Sequence, residues 1–288
     1  MISHKFSLFK KTKRENFSRK ILPFKANNRN FLNYDSVIII YFCFLFSTVF
    51  AGAALQTADE FYKIRSSNCT GIRPDPVFTE KASLYYLEAM NNPSDEERAA
   101  VGYLKTLYFK GAYIITDREE IRKIFSIGVS LGEKMKIRYP DSLDLIYWTG
   151  IMWGKWVQVH SVFKAASEGV PQRLKKAMEH ILSADPLYEK GLAYVFYAKL
   201  HLATPKIPVI LEWPSKKTAI SCLEQALVMY PENTTALMYY AEALNADGQK
   251  KEAKKILYNL AVRKPRTDFY IEDLIYIEQA RKISGKYR

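Results

Sequence analysis

Apolar residues recur at spacings of three and four along most of the chain after residue 77, and strict alternation with polar residues is nearly absent. Such spacing places apolar side chains on one face of an α-helix, whereas a half-buried strand needs a spacing of two. Residues that cap helices come just before several of these runs, at Asp95, Asp117 and Asn233. The pattern predicts an all-α protein.

Prolines mark the ends of four amphipathic runs, because proline cannot continue a helix. They are Pro140, Pro186, Pro231 and Pro265, which are separated by 46, 45 and 34 residues. A period of about 34 residues is that of the tetratricopeptide (TPR) repeat, a helical hairpin. The last interval therefore suggests a TPR-like repeat, and the two longer intervals predict hairpins that carry insertions.

Small and large residues recur at this period. The first set is Ala219, Leu223, Ala226 and Pro231, and the second is Ala253, Leu257, Leu260 and Pro265. Alanine lets the two helices of a hairpin approach closely, and the large apolar residue fills the groove to the next hairpin. Gly248 is expected in the tight turn of the last hairpin. The chain thus resembles TPR proteins, and we predict a TPR-like antiparallel helix-hairpin repeat array, an α-solenoid, over residues 78–285.

One insertion is an apolar loop with three prolines, ATPKIPVILEWPS, at residues 203–215. Loops of repeat proteins tend to carry function, and an apolar loop that contains a tryptophan is unusual for a solvated surface. Two interpretations are open. Trp213 and its neighbours form part of a ligand or partner surface, or the loop folds back over the core of the array.

A second feature is the segment 147–156, which holds three tryptophans and ends one turn before His160. Gly150 and Gly154 fall on one face of the predicted helix, which suggests that another helix packs very near. The segment is either an aromatic core or the wall of a binding cavity, with His160 or Lys155 as the polar anchor. The candidate ligand-binding residues are Trp148, Trp153, Trp156, His160 and Trp213.

The net charge of +13 is distributed unevenly. In residues 1–36, nine basic residues minus two acidic ones give +7, which leaves +6 for the other 252 residues. In the body, opposite charges alternate along predicted helix faces, as in a solvated surface. A phosphate-binding surface is not indicated, so no nucleic-acid partner is expected.

Residues 37–55 carry no charge and follow the basic leader 1–36. Their length is near the ~20 residues that span a bilayer, but their small final residues suit signal peptidase at Ala51 or Ala53. The segment is thus either the apolar region of a cleaved signal peptide or an uncleaved membrane anchor. Both place the body outside the cytoplasm, in the periplasm or tethered to the inner membrane. Residues 56–77 are predicted to form a linker.

Few residues suggest chemistry. Cys69 and Cys222 would lie in the exported body, where a disulfide is allowed, or Cys222 is a small buried residue of a helix. The sequence has no GxGxxG, GxxxxGK[ST], GxSxG or HExxH motif. His160, His180 and His201 lack the spacing of metal ligands and are interpreted as surface residues. We therefore expect no catalytic residue, cofactor or metal site.

Residues 139–280 resemble the T component of TRAP transporters, a family of exported TPR-like proteins. The resemblance rests on DLIYWTGIMWGKWVQVHS (144–161), on the run from KAASEGV to HLATP (164–205) and on the run from KKTAISC to LYNL (216–260). The layout is also similar to that of regulator-of-microtubule-dynamics proteins of eukaryotes.

The resemblance implies a bacterial, periplasm-facing helical protein that associates with a periplasmic solute-binding protein and holds a small hydrophobic ligand. In this hypothesis the protein is an accessory of a TRAP-type solute transport system. The alternative is an envelope scaffold or assembly protein that binds a partner peptide or helix in the concave groove of the array. Another envelope protein, or a second copy in a homo-oligomer, is then the partner.

Amino-terminal sequencing of the mature protein distinguishes the two interpretations of residues 37–55. A new amino terminus just after Ala51 or Ala53 shows a cleaved signal peptide. An intact leader on the mature chain shows a membrane anchor.

Overall fold

A computed structural model describes residues 52–160, 162–206 and 211–285, all of which belong to one compact unit. The leader 1–36 and most of the apolar segment 37–55 lie outside these residues. Within the described ranges the chain is mostly helical; an isolated bridge joins Thr70 and Arg73, and no strand is present. The predicted all-α class is confirmed. None of the described helices has the length and apolar character that a membrane span requires.

The described residues form twelve α-helices, joined mostly by short turns. They are α1 (52–63), α2 (Pro76–Ala89), α3 (Glu96–Phe109), α4 (Arg118–Arg138), α5 (Leu143–Val159), α6 (Val162–Ser167), α7 (Val170–Ala184), α8 (Leu192–Ala203), α9 (Lys216–Met229), α10 (Thr234–Ala246), α11 (Lys250–Ala261) and α12 (Tyr270–Gly285). A π-helical segment, Lys110–Ile114, extends α3, and short 3₁₀ helices at Tyr188–Gly191 and Thr267–Phe269 precede α8 and α12.

Consecutive helices pack side by side, and their short connections make them antiparallel neighbours. In addition, α3 packs against α5, α8 against α10, and α10 against α12. Helices α8, α10 and α12 therefore lie next to one another along one face of the array, as the first helices of successive TPR hairpins do. The predicted helix-hairpin repeat array is confirmed.

The positions that carry the predicted repeat lie in its core. The buried residues at these positions are Ala219, Leu223, Ala226, Ala253, Leu257 and Leu260. Gly248 has a φ of +90° in the turn between α10 and α11, a conformation that favours glycine. The repeat pattern thus correctly located both the interior of the last two hairpins and their turn.

The region predicted as a linker, 56–77, has a different structure over its first part. Helix α1 runs to residue 63, and Ala54, Leu55 and Ala58 on it are buried against Ala82 and Tyr86 of α2. Only residues 64–75 form turns and irregular structure. The apolar residues of α1 directly continue the apolar segment before it. Their helical spacing therefore does not stand out as a separate pattern in the sequence.

Two of the three predicted helix caps are present. The Asp117 side chain accepts a 2.8 Å hydrogen bond from the Glu120 amide, and the Asn233 side chain accepts one of 3.0 Å from the Ala236 amide. Asp95 does precede α3, but its side chain makes no capping bond to that helix. Its carboxylate instead accepts a hydrogen bond from the side chain of Asn92.

Helices α4 and α5 approach each other closely at two glycines. A Cβ atom added to Gly128 would lie 2.4 Å from Met152 Sδ, and one added to Gly132 would lie 2.3 Å from Thr149 Oγ1. These distances are too short for any larger residue without repacking. The Gly128 and Gly132 pair therefore fixes the contact between these two helices.

Another helix was predicted to pack very near Gly150 and Gly154, and this prediction is wrong because the neighbouring atoms lie at ordinary contact distances. A Cβ atom at Gly150 would first meet Met178 Cε at 3.5 Å, and one at Gly154 would meet the Phe196 ring at 3.7 Å. Both are ordinary van der Waals distances to side chains. This face of α5 packs against the side chains of α7 and α8 and not against a helix backbone.

A buried arginine joins the two ends of the described array. Arg65, in the turn after α1, is 6 % exposed. Its guanidinium donates to Glu272 Oε1 of α12 at 2.7 Å and to the Asp268 carbonyl at 2.7 Å. It also lies 5.3 Å from the ring centroid of Phe109, the last residue of α3. One side chain thus connects three segments, two of them more than 200 residues apart in sequence.

We predict that replacing Arg65 by Met lowers the free energy of unfolding by about 3–5 kcal/mol, because Glu272 is left buried without its partner. Urea denaturation followed by helical circular dichroism measures the loss. Arg98→Met is the matched control, since the Arg98 pair with Asp59 is 3.5 Å long and both side chains are largely exposed; it should cost less than about 1 kcal/mol. Equal losses for the two variants would contradict the role assigned to Arg65.

Candidate ligand-binding site

An apolar cavity of about 200 Å³ lies between α5, α7 and α8. Ile151, Leu174, Phe196 and Leu200 form much of its apolar wall, and Leu211 completes it from the far end of the proline-containing loop. Pockets of this composition, mostly apolar with a few polar groups, are typical of sites for small molecules. The cavity is therefore the candidate functional site among the described residues.

Two helical stripes build this cavity. On α5 the lining residues Ile151, Gly154, Lys155 and Gln158 form one stripe, with Val157 beside it, and on α8 the lining residues are Phe196, Lys199, Leu200 and Ala203. Both sets follow the spacing of three and four that places side chains on one helix face. Gly154 has no side chain, and its position next to the Phe196 ring leaves space that a larger residue would fill.

Two lysines are the charged residues of the wall, and Tyr108, Gln158 and Thr204 are its uncharged polar residues. Lys155 Nζ lies 5.3 Å from the ring centroid of Tyr108, which also lines the cavity. Lys199, from α8, has its Nζ 4.9 Å from the ring centroid of Tyr239. Neither lysine forms an ion pair with a carboxylate in the described part of the chain.

The environment of Lys155 disfavours its charged form. Burial lowers its pKa from the usual 10.5 to about 8, and the positive charge of Lys199 contributes to this shift. At neutral pH the amine is still largely protonated. Lys155 therefore carries a positive charge in largely apolar surroundings, and no carboxylate of the described residues forms an ion pair with it.

Three of the predicted site residues come together at the end of α5. The Trp156 and His160 rings are stacked with centroids 3.9 Å apart, and the Trp153 ring packs edge-on against Trp156 at 5.3 Å. Trp153 Nε1 donates a 2.6 Å hydrogen bond to Glu133 of α4, and the Arg173 guanidinium of α7 lies 4.4 Å from its ring centroid. This cluster connects α4, α5 and α7.

The other two tryptophans lie in separate environments. Trp148 packs edge-on against Tyr108 at 5.8 Å, with Lys105 Nζ 5.5 Å from its ring centroid. Trp213 packs edge-on against His201 at 5.1 Å.

The expectation that tryptophans line the cavity needs correction, because none of the four tryptophans nor His160 is among its lining residues. Of the two proposed polar anchors, Lys155 lies in the wall. Whether the tryptophans take part in binding stays a prediction. The lining residues Lys199, Phe196 and Leu200 were missed, although their helical spacing on α8 is visible in the sequence.

The interpretation of the histidines as surface residues is wrong for His201. This residue is buried between Tyr197 and Trp213, and its Nδ1 accepts a 3.1 Å hydrogen bond from the Ser215 amide. Burial lowers its pKa, with a further lowering from the nearby charge of Lys175. His201 therefore positions the end of the loop before α9.

Tyrosine hydroxyls meet beside the cavity. Tyr108 and Tyr113 are joined by a hydrogen bond of 2.9 Å, and Tyr239 and Tyr276 by one of 3.3 Å. Burial raises the pKa of all four, and the nearby Tyr276 hydroxyl raises that of Tyr108 further. The first pair joins the end of α3 to the π-helical segment that follows it, and the second pair joins α10 to α12.

The remaining candidate chemistry is limited. Cys69 and Cys222 are both free, so they form no disulfide, and burial raises the pKa of the Cys222 thiol to about 11. Across residues 52–160, 162–206 and 211–285, no group of three or more His, Cys, Asp or Glu side chains is arranged to hold a metal ion.

Comparison with known proteins agrees with the fold. No protein-family model matches the chain, and no curated protein matches it in sequence. Among solved structures, the chain is similar to a thermophilic TPR protein of Thermus thermophilus, with a TM-score of 0.55 and 11 % identity over 82 % of this chain and 97 % of that chain. At this identity the likeness shows the fold alone. The protein is a TPR-like helical repeat protein.

We predict that replacing Lys155 by Met raises stability in a pH-dependent way. Since the pKa of the folded lysine is about 8 and its usual value is 10.5, the unfolded chain binds more protons between these values. The lysine therefore destabilises the folded protein fully below pH 8, and this effect fades as the pH rises to 10.5. Urea denaturation should show the variant more stable by roughly 1–3 kcal/mol at pH 7, with a smaller difference at pH 10. A difference independent of pH would contradict the shift.

Proposed function

We propose that the protein is an exported TPR-like binding protein that holds a small apolar ligand in the cavity between α5, α7 and α8. The observation that carries the proposal is the cavity itself, whose walls are mainly apolar. Burial of apolar ligand surface in such a site is favourable by roughly 25 cal/mol per Å². The repeat array acts as a rigid support for it.

The size of the cavity supports a small ligand. An engineered apolar cavity of about 150 Å³ in another protein binds benzene, and the volume here is about 200 Å³. A medium-length alkyl chain or a small aromatic ring fits this space. A folded peptide or a helix does not.

A role as accessory of a TRAP-type solute transport system is supported by the resemblance described above. Two of the resembling segments, 144–161 and 164–205, supply α5, α7 and α8, which form the cavity walls. The basic leader and apolar segment support export to the periplasm or tethering to the inner membrane. The partner in this proposal is a periplasmic solute-binding protein.

An envelope scaffold is the second candidate function. TPR-like arrays commonly present a concave surface to a partner segment, and the fold therefore supports a scaffold function. Val228 on α9 and Tyr258 on α11 are exposed apolar residues that would suit a protein contact. The cavity between α5, α7 and α8, in contrast, is too small for a peptide segment, and this favours a small ligand.

We predict that Gly154→Leu prevents ligand binding. The added side chain enters the cavity, whereas its Cβ meets the Phe196 ring at an acceptable 3.7 Å. Leucine also has a helix propensity about 1 kcal/mol better than that of glycine, so the fold should not be weakened. The measurement is isothermal titration calorimetry with 1-octanol, a neutral probe with a medium-length alkyl chain; the wild type should bind it at one site, and the variant should bind at least about tenfold more weakly.

Lys134→Leu is the control, since it adds a leucine at an exposed position of α4. It should bind the probe as the wild type does. Equal binding by Gly154→Leu and the wild type would show that the probe is not in the cavity, and the proposal would be wrong.

The transport role has its own test. Neighbouring genes for a solute-binding protein and a membrane permease support it, whereas a protein partner recovered by cross-linking at α9 and α11 favours the scaffold.

A further inference from the structure

The charged residues of the cavity wall are all of one sign. Lys155 and Lys199 line it from two different helices, and no aspartate or glutamate is among the lining residues. The lining residues from α6 and α7, which include Ala165, Val170 and Leu174, are uncharged. The chemistry of the wall therefore combines a long apolar surface with a cationic site.

From this arrangement we infer that the ligand is a small amphipathic anion, with one anionic head at Lys155 and Lys199 and an apolar tail along Ile151, Leu174 and Phe196. The inference rests on the proposed function and specifies the class of ligand for the same site. An anion at this position would supply the countercharge that no carboxylate among the described residues provides to Lys155.

The cost of the unpaired charge supports this assignment. A protonated amine in apolar surroundings is unfavourable unless it is paired, and the lowered pKa of Lys155 reflects that cost. Around Lys155 the titratable neighbours are Lys199 on α8 and Tyr108 on α3, and the Tyr108 hydroxyl is already bonded to Tyr113. None of these groups neutralises the amine.

A single negative charge fits better than two. Glu242 on α10 lies close enough to Lys199 for the two charges to interact, although burial raises the pKa of Glu242. The carboxylate offsets part of the charge of Lys199, which leaves Lys155 as the main unbalanced cation. A second anionic group at the other end of the ligand would find no further cationic side chain in the wall and would be disfavoured.

Isothermal titration calorimetry with four probes of similar length tests the inference: octanoate, 1-octanol, octylammonium and suberate, which carries a carboxylate at each end. We expect octanoate to bind about tenfold more tightly than 1-octanol, and octylammonium and suberate to bind more weakly than octanoate. Lys155→Met should remove the preference for octanoate over 1-octanol, because the cation that attracts the carboxylate is lost. Lys155→Arg, which keeps the charge, should retain the preference.

Lys105→Met is the matched control. Lys105 also lies over an aromatic ring, 5.5 Å from the centroid of Trp148, but it is not among the residues that line this cavity. The variant should keep the octanoate preference of the wild type. A loss in Lys105→Met equal to that in Lys155→Met would show a general effect of surface charge and overturn the inference.

The remaining outcomes separate the inference from the proposed function. If 1-octanol and octanoate bind equally and Gly154→Leu weakens both, the cavity binds apolar ligands and only the anionic head is wrong. If Lys155→Met binds octanoate as the wild type does, the head lies elsewhere and the inference is also wrong. If no probe binds, the proposed function and the inference are both overturned.

Discussion

The guanidinium of Arg65 constrains the arrangement of the whole described array. It donates hydrogen bonds to a carboxylate of α12 and to two backbone carbonyls, and aromatic rings surround it. A buried guanidinium is tolerated only when most of its N–H groups have partners. The turn after α1, the end of α3 and the start of α12 must therefore stay together. Tyr108, which precedes Phe109 at the end of α3, also lines the apolar cavity.

The sequence was most informative where the chain repeats itself. Ala219 and Ala253 lie one repeat apart, both are buried, and the hairpins between them were predicted correctly. Each repeat contacts only its neighbours along the chain, so the residues that make these contacts can be recognised from a short stretch of sequence. The contact of Arg65 with Glu272 joins residues more than 200 positions apart, so no pattern within a short stretch of sequence predicts it. For the same reason the glycines of α4 could not be assigned a partner before α5 was placed next to them.

The candidate site shows a similar division. Tryptophans attracted attention as large and rare residues, yet Trp153 connects neighbouring helices through a hydrogen bond to Glu133 and a contact with Arg173. The cavity depends instead on common residues such as Phe196 and Lys199. These two residues of α8 line the same cavity as Lys155 of α5. Side-chain identity alone does not indicate this. The spacing on each helix was readable, but the pairing of the two faces needed the three-dimensional arrangement.

The joined ends of the array also bear on how such a protein can change over evolutionary time. An open solenoid lengthens readily, because a duplicated hairpin only adds one more layer to the stack. Here a hairpin inserted between α3 and α12 would move Glu272 away from Arg65 and leave both groups buried without partners. Lineages that keep this contact are therefore expected to vary in loop length, as at residues 203–215, and to keep the number of hairpins constant.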